Sequence, residues 1–311
     1  MDLKQLRALI AIAETGSVSR AAELLHIVQP AVSKQLRLLE EDLGAALFTR
    51  GRRGMELTAS GELMVEHATR ALRELAQAKA QISPDPSILT GNVTIGLLPS
   101  VSELVGASLV DTLKQRHPQL GLRITVGYAG HLQQWLENGE VDVALLYDPK
   151  PSSMLEVRAL LDEALYLVGL PEAGLDLDRA VPLRDLSTLP MILPSRPHGL
   201  RLLLDHACVT AGIELSCVVE TNAMGLQKNL VRHGSGMTVL PGIAVLDDVA
   251  QGRLSAAPIT EPDLRRRVVL ALRTARHASA AVRYVADELR AQIEANVRDG
   301  RWPGADWLRP D

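Results

Sequence analysis

The chain has 311 residues, too many for one average domain of about 100–200 residues, so two or three domains are expected. Hydrophobic residues make up 47% and charged residues 23%, which excludes a wholly disordered chain; no run approaches the roughly 18–20 apolar residues of a membrane helix, and the start MDLKQLRALI lacks an export pattern. The formal charge is −4, but residues 1–58 carry eight Lys/Arg against seven Asp/Glu, leaving −5 for the rest.

From the N-terminus the sequence predicts short helices. Residues 2–14 place Leu3, Leu6, Ile10 and Ala13 at three- and four-residue spacing, ended by Thr15-Gly16. Ser19 is a candidate N-cap for a second helix, RAAELLH. Pro30 sits in the first turn of a third, PAVSKQLRLLEEDLG, where its missing N–H costs nothing, and Gly44 stops it. Residues 47–58 read as two short strands around a glycine-rich basic turn. Thr58 opens a long helix to about Ile82, with Met64, Ala68, Ala71, Leu75, Ala78 and Ile82 at spacings 4, 3, 4, 3, 4. This a/d seam, half of it alanine, suits close antiparallel pairing of two chains. Ser83-Pro84-Asp85-Pro86-Ser87 ends the helix and forms a linker.

Beyond Asn92, strands and helices alternate. Strands are expected at 93–98, 122–127, 142–147, 164–169, 190–193, 216–221, 236–240 and 267–272, and helices at 102–116, 130–138, 199–212, 223–232 and 279–296. The alternation argues for parallel sheets with covering helices. Leu97-Leu98-Pro99-Ser100 and Ile192-Leu193-Pro194-Ser195 each open an α/β block. The echo is either chance, since such turns favour Pro and Ser, or the mark of two similar lobes facing each other.

Residues 17–44 have the grammar of a helix-turn-helix. Ala21 and Ala22 allow close approach, and Leu24, Leu25, Ile27, Val32, Leu36 and Leu39 supply a small core. Gln29, Ser33, Lys34, Arg37 and Gln35 then face outward. Gln and Arg read base edges in a major groove, while Ser and Lys hold phosphate. Arg50, Arg52 and Arg53 on the hairpin are placed to grip the flanking backbone. An ordinary helical bundle with a solvated polar face is the alternative reading of this pattern.

The stretch AAELLHIVQPAVSKQLRLLEEDLGAALFTRGRRGMELTASGE resembles the N-terminal winged helix-turn-helix of LysR-type transcriptional regulators. The match runs through Ala21-Ala22, Gln29-Pro30-Ala31-Val32-Ser33, Gln35, Leu39-Glu40, Leu43-Gly44, Leu47-Phe48, Arg50, Leu57-Thr58 and Gly61. Residues 233–241, HGSGMTVLP, look like the family's G-x-G-x-x-x-L-P turn, and residues 139–145, GEVDVAL, resemble its G-x-L-D-L-A-L strand. The resemblance covers nearly the whole chain to about residue 296. It implies a mainly α winged helix-turn-helix, a linker helix, and a two-lobed α/β effector domain similar to periplasmic binding proteins. The corresponding boundaries are 1–58, 59–87 and 88–311, with lobe I at about 92–162 and 267–296, lobe II at about 163–266, and a tail at 297–311.

The resemblance also implies a regulator rather than an enzyme. Its expected partners are double-stranded operator DNA, a second copy of the chain in a homodimer or homotetramer, and RNA polymerase, with no membrane. Gln29, Pro30, Ser33, Lys34, Gln35, Arg37, Arg50, Arg52 and Arg53 would contact DNA. Val28 stands where the family usually has Ser or Thr, which removes a helix cap of about 1 kcal/mol and a phosphate contact.

By the same resemblance a small-molecule effector binds between the lobes. Strand ends meet helix starts at the Pro-Ser turns, where free backbone N–H groups favour an anion. The expected site is Ser100, Ser102, Gly130, His131, Ser195, His198 and Gly199, with Thr221 and Asn222 as weaker members. Each Ser alone reads equally as a helix cap. Ala129 lacks the hydroxyl many relatives carry there. A small organic anion is the expected effector, and no cofactor or metal is expected: His67, His117, His206 and His277 lack ligand spacing, and no phosphate-cradling loop, G-x-S-x-G or H-E-x-x-H occurs.

Cys208 and Cys217 are spaced as in peroxide-sensing members, but the family's reactive cysteine aligns at Gly199, and apolar surroundings favour buried structural thiols. Two cysteines build no disulfide scaffold, which fits a reducing, cytoplasmic location. The tail with Trp302 and Trp307 either docks on the body or a partner, or frays. Two rival readings stand beside the regulator: an enzyme or transport-type binding protein built on the α/β region, and a redox sensor.

Overall fold

The computed structural model describes residues 1–51, 54–81, 89–274 and 278–308. Arg52, Arg53, Ile82 and the linker at 83–87 lie outside the described residues. The chain divides into two compact units, Met1–Asp85 and Pro86–Asp311.

The first unit contains α1 (Leu3–Thr15), α2 (Val18–Leu24), α3 (Gln29–Leu43), β1 (Phe48–Gly51), β2 (Gly54–Leu57) and α4 (Ala59–Gln81). Asp2 caps α1 in a reciprocal box, accepting the Lys4 and Gln5 N–H groups while the Gln5 side chain returns to the Asp2 N–H. The cap of α2 is Ser17, not Ser19. Ser17 is the last residue with extended backbone, so its hydroxyl swings back to the Arg20 N–H, whereas Ser19 is already helical. As Val28 leads one to expect, α3 begins without a side-chain cap. The core joins Leu9, Ile12, Ala21, Val32, Leu36, Leu39, Leu47, Phe48 and Ala68. Leu24 and Ile27 are not part of it: they are 52% and 45% exposed, because α1, the strand pair and α4 fill the space behind the two helices. At Gly61 an added Cβ would lie 2.0 Å from the Leu47 carbonyl oxygen, so only glycine lets α4 pass that close.

The second unit contains β3 (Gly91–Leu97), α5 (Pro99–Arg116), β4 (Leu120–Val126), α6 (Ala129–Glu137), β5 (Val143–Tyr147), β6 (Leu155–Gly169), β7 (Val181–Pro182), β8 (Pro190–Leu193), α7 (Gly199–Ala211), β9 (Ser216–Glu220), α8 (Met224–Arg232), β10 (Met237–Pro241), α9 (Leu246–Ala250), β11 (Ser255–Thr260), β12 (Arg265–Arg273), α10 (Ala280–Arg298) and β13 (Ala305–Trp307). Its main strand order is β4-β3-β5-β12-β6-β10-β8-β9. β3 runs parallel to β4 and β5, and β8 parallel to β9 and β10. The expected all-parallel sheets are corrected at the centre. β12 is antiparallel to β5 and β6, and β6 to β10. The chain crosses between lobes along β6 and returns along β12, so these two strands must oppose.

β6 starts at Leu155, not near residue 164, and serves both lobes. Leu160 and Leu161 enter the first lobe's core with Ile95, Leu109, Leu145, Leu270 and Ile293. Further on, Leu165 and Leu167 face one core of the second lobe, while Tyr166 and Val168 face another. Burial on both faces explains the continuous apolar run there. The tail docks rather than frays: Trp302 is 2% exposed within the first lobe's core, and β13 pairs with β6.

Candidate functional sites

On α3, Gln29, Pro30, Ser33, Lys34 and Arg37 are exposed, while Val32, Leu36 and Leu39 are buried beneath them. This is the two-faced pattern a recognition helix requires. Gln35 differs from the others: it is half-buried, with Oε1 enclosed and unpartnered among the described residues. Arg37 is held only loosely, with Nε 3.9 Å from Glu41 Oε1. Arg50 is exposed on β1. The strand pair is tied to α3 by Glu40, whose Oε1 accepts the Leu47 N–H at 2.8 Å, and to the α1–α2 turn by the Met55 N–H donating to Gly16 at 2.9 Å.

The α4 seam divides in two. Ala68 is buried in the unit's own core, and Met64 packs against that core while staying partly exposed. Ala71, Leu75 and Ala78 remain exposed, Leu75 at 51%.

The second unit holds a cavity of about 480 Å³ lined from both lobes. Ser100, Gly130, His131, Ser195, His198 and Gly199 all line it. Ser102 does not; its hydroxyl donates to the Pro99 carbonyl oxygen at 2.8 Å within its own helix. α5 starts three residues earlier than expected, with Pro99 in its first turn, so Ser100 lies inside the helix and is not its cap. Four helices start at this cavity, with Leu98, Tyr128 and His198 as the N-cap positions of α5, α6 and α7 and Met224 as the first residue of α8. None has a side-chain cap, whereas α1, α2 and α10 are capped by Asp2, Ser17 and Ser279. Their free N–H groups therefore turn the positive ends of the helices toward the cavity.

Arg266 and Tyr147 also line the cavity. Arg266 Nη2 donates to the Tyr147 hydroxyl at 2.6 Å, and its guanidinium carbon lies 3.4 Å from the Tyr147 ring centre. Arg266 Nε donates to Glu163 Oε1 at 2.6 Å. Burial pushes the Tyr147 phenol well above its ordinary value. His198 packs edge-on against Tyr128 at 4.9 Å, with Nδ1 buried and unpartnered among the described residues. Burial, aided by the Arg266 charge, lowers its pKa to about 4, so near pH 7 it is a neutral donor or acceptor. Asn222 Oδ1 accepts the Ser195 N–H at 2.9 Å and holds that turn. The cavity thus combines an arginine, uncapped helix starts and a neutral imidazole with apolar walls from Pro99, Leu202, Met224 and Leu240.

Residues 3–62 match the family described as "Bacterial regulatory helix-turn-helix protein, lysR family", and residues 87–294 match "LysR substrate binding domain". The chain belongs to the LysR family of transcriptional regulators. The regulator is 34% identical to the HTH-type transcriptional regulator BbuR of Bordetella bronchiseptica, over 98% of this chain and 94% of that protein. It is 28% identical to the DNA-binding transcriptional dual regulator OxyR of Escherichia coli, over 95% of this chain and 97% of that protein. In fold it is similar to a full-length OxyR variant from Pseudomonas aeruginosa, with TM-score 0.71, 23% identity and coverage of 100% and 99% of the two chains. It is also similar to full-length CbnR in complex with its target DNA, with TM-score 0.68, 21% identity and coverage of 94% and 100%.

In this LysR-family regulator, the Pro-Ser turns and the residues beside them do converge on one cavity. Sequence reasoning missed Arg266, Tyr147 and Tyr128. Arg266 sits in RRRVVLALR, where an arginine beside an apolar strand reads as a surface charge. Tyr128 had a signal: it stands between the end of β4 and the first turn of α6, a strand-to-helix junction like Leu98-Pro99-Ser100.

Proposed function

We propose that the regulator binds operator DNA as a homodimer through α3 and the β1–β2 hairpin, under the control of a small organic anion held between the effector-domain lobes. The convergence of uncapped helix starts and Arg266 on one cavity carries this reading. A carboxylate there accepts backbone N–H groups and a guanidinium donor, and low local polarity strengthens each bond. Ser100 and His198 orient it, and the apolar walls hold its organic body. The two recognition helices of a dimer reach successive major grooves when the exposed part of the α4 seam pairs the chains. RNA polymerase is the partner through which DNA occupancy reaches transcription. The effector acts only by favouring one of two arrangements of lobes or protomers.

Calorimetric titration of the wild type and Ser100→Ala with a panel of organic acids tests the site. The expected result is binding of one acid that Ser100→Ala abolishes or weakens, while DNA binding without effector persists. Equal affinities for the bound acid would remove Ser100 from the site.

A further inference from the structure

We propose that Trp302, in the C-terminal tail, is a positioning residue for the anion site: it holds Glu163 so that Arg266 stays available to a ligand. The proposal rests on the cavity reading above and deepens it.

Trp302 lies beyond residue 294, where the family match ends. The tail is fastened to β6 by the Ala164 N–H donating to Gly304 at 2.9 Å and the Leu308 N–H donating to Leu160 at 2.8 Å. This places the Trp302 indole N–H 2.8 Å from Glu163 Oε2. The other carboxylate oxygen, Oε1, accepts Arg266 Nε at 2.6 Å. An unrestrained carboxylate and guanidinium prefer the two-point fork, with both oxygens on the same arginine. Trp302 occupies one of those oxygens, so Glu163 binds Arg266 at one point only. Arg266 Nη2 is then directed to Tyr147 in the cavity wall. Among the described residues, Arg266 makes its hydrogen bonds through Nε and Nη2 and none through Nη1.

Glu163 is fully buried, so an oxygen that loses its donor is costly. Without the indole N–H, Glu163 turns its free oxygen to a second Arg266 N–H. The guanidinium is then withdrawn from Tyr147 and more fully neutralised, and the cavity loses its charged donor. A change in the tail thus alters a ligand site it does not touch.

The test uses the full-length protein near pH 7, with trifluoroacetate as a minimal carboxylate probe read by fluorine NMR. Trp302→Phe keeps most of the ring bulk but has no N–H, and is expected to weaken probe binding about tenfold. Trp302→Phe combined with Glu163→Gln is expected to restore it, because a neutral amide can neither form the fork nor neutralise Arg266. Unchanged affinity in Trp302→Phe overturns the proposal. So does a double variant as weak as the single one, since Trp302 would then only pack. In the wild type the Trp302 indole N–H resonance is expected to shift as the probe binds; a resonance unmoved at saturation overturns the proposal whether or not the variants fold. Probe binding unaffected by Arg266→Gln overturns the cavity reading itself, and this proposal with it.

Discussion

Arg266 Nε lies 2.6 Å from Glu163 Oε1, and the two residues are 7% and 0% exposed. The pair joins β12 to β6, the two strands that link the lobes. Removing one partner of a buried pair strands the other charge. Glu163→Leu is therefore expected to cost about 3–5 kcal/mol of stability. Replacing both, as in Arg266→Met with Glu163→Leu, is expected to recover most of that loss. Urea unfolding of the three proteins measures it, and equal stability of the single and double variants contradicts it.

His198 gives the second unit a pH dependence of known sign. Its pKa falls from 6.5 to about 4 on folding, chiefly through burial. The unfolded chain therefore takes up the proton first as pH falls. The group's contribution is fully present above about pH 6.5, declines between about 6.5 and 4, and is lost below. The ring is expected to stay neutral near pH 5 in an NMR titration. His198→Asn should lose less stability than the wild type across this window. A ring that titrates near 6.5 contradicts the burial argument.

On α3, Gln29 and Arg37 are exposed on the face proposed to meet DNA. Gln29→Ala or Arg37→Ala is expected to weaken operator binding by about 1–3 kcal/mol, with less effect on random DNA. Arg52→Ala is expected to weaken both alike and to flatten the salt dependence. Gel-shift titrations at several salt concentrations separate the two classes. Equal losses on both DNAs for Gln29→Ala would assign it to the backbone.

The divided α4 seam separates assembly from folding. Leu75 is 51% exposed, so Leu75→Asp leaves the first unit's core intact. It is expected to give a folded monomer in sedimentation, with operator binding lost. Ala68 is 1% exposed, so Ala68→Asp is expected to unfold the first unit instead, through an unpaired buried charge. A dimeric, DNA-binding Leu75→Asp protein rules out the pairing role.

Cys208 is buried, and burial pushes its thiol up, away from the reactive thiolate. Cys217 is half-buried and donates to the Val219 carbonyl oxygen at 3.5 Å. Cys208→Ser is expected to leave DNA binding the same with and without peroxide. A peroxide response abolished by that change would favour the redox-sensor reading despite the OxyR relatives' modest identity.

Local signals determined much of this protein from sequence alone. Asp2, Pro30 and Gly44 mark helix ends by their own backbone chemistry, and the spacing of Val32, Leu36 and Leu39 marks the inner face of α3. The Pro-Ser turns mark strand-to-helix junctions, which is why six of the seven expected effector residues meet at one cavity. Ser102 fell outside because it lies two residues beyond Ser100 in α5, which turns it to nearly the opposite face of the helix.

Other features depend on partners far away in the chain. Leu24 and Ile27 have the hydrophobicity of core residues, yet both are exposed, and the core is completed instead by residues of α1, the strand pair and α4. From sequence β6 reads as a short strand from about residue 164, because Asp162 and Glu163 interrupt the apolar run before it; pairing with β12 and β13 carries the extended backbone back to Leu155. Arg266, Glu163 and Trp302 are separated by over a hundred residues of sequence on one side and more than thirty on the other. No local pattern marks them as a group; burial of an arginine and a carboxylate becomes tolerable only where the folded sheet supplies each with its partner.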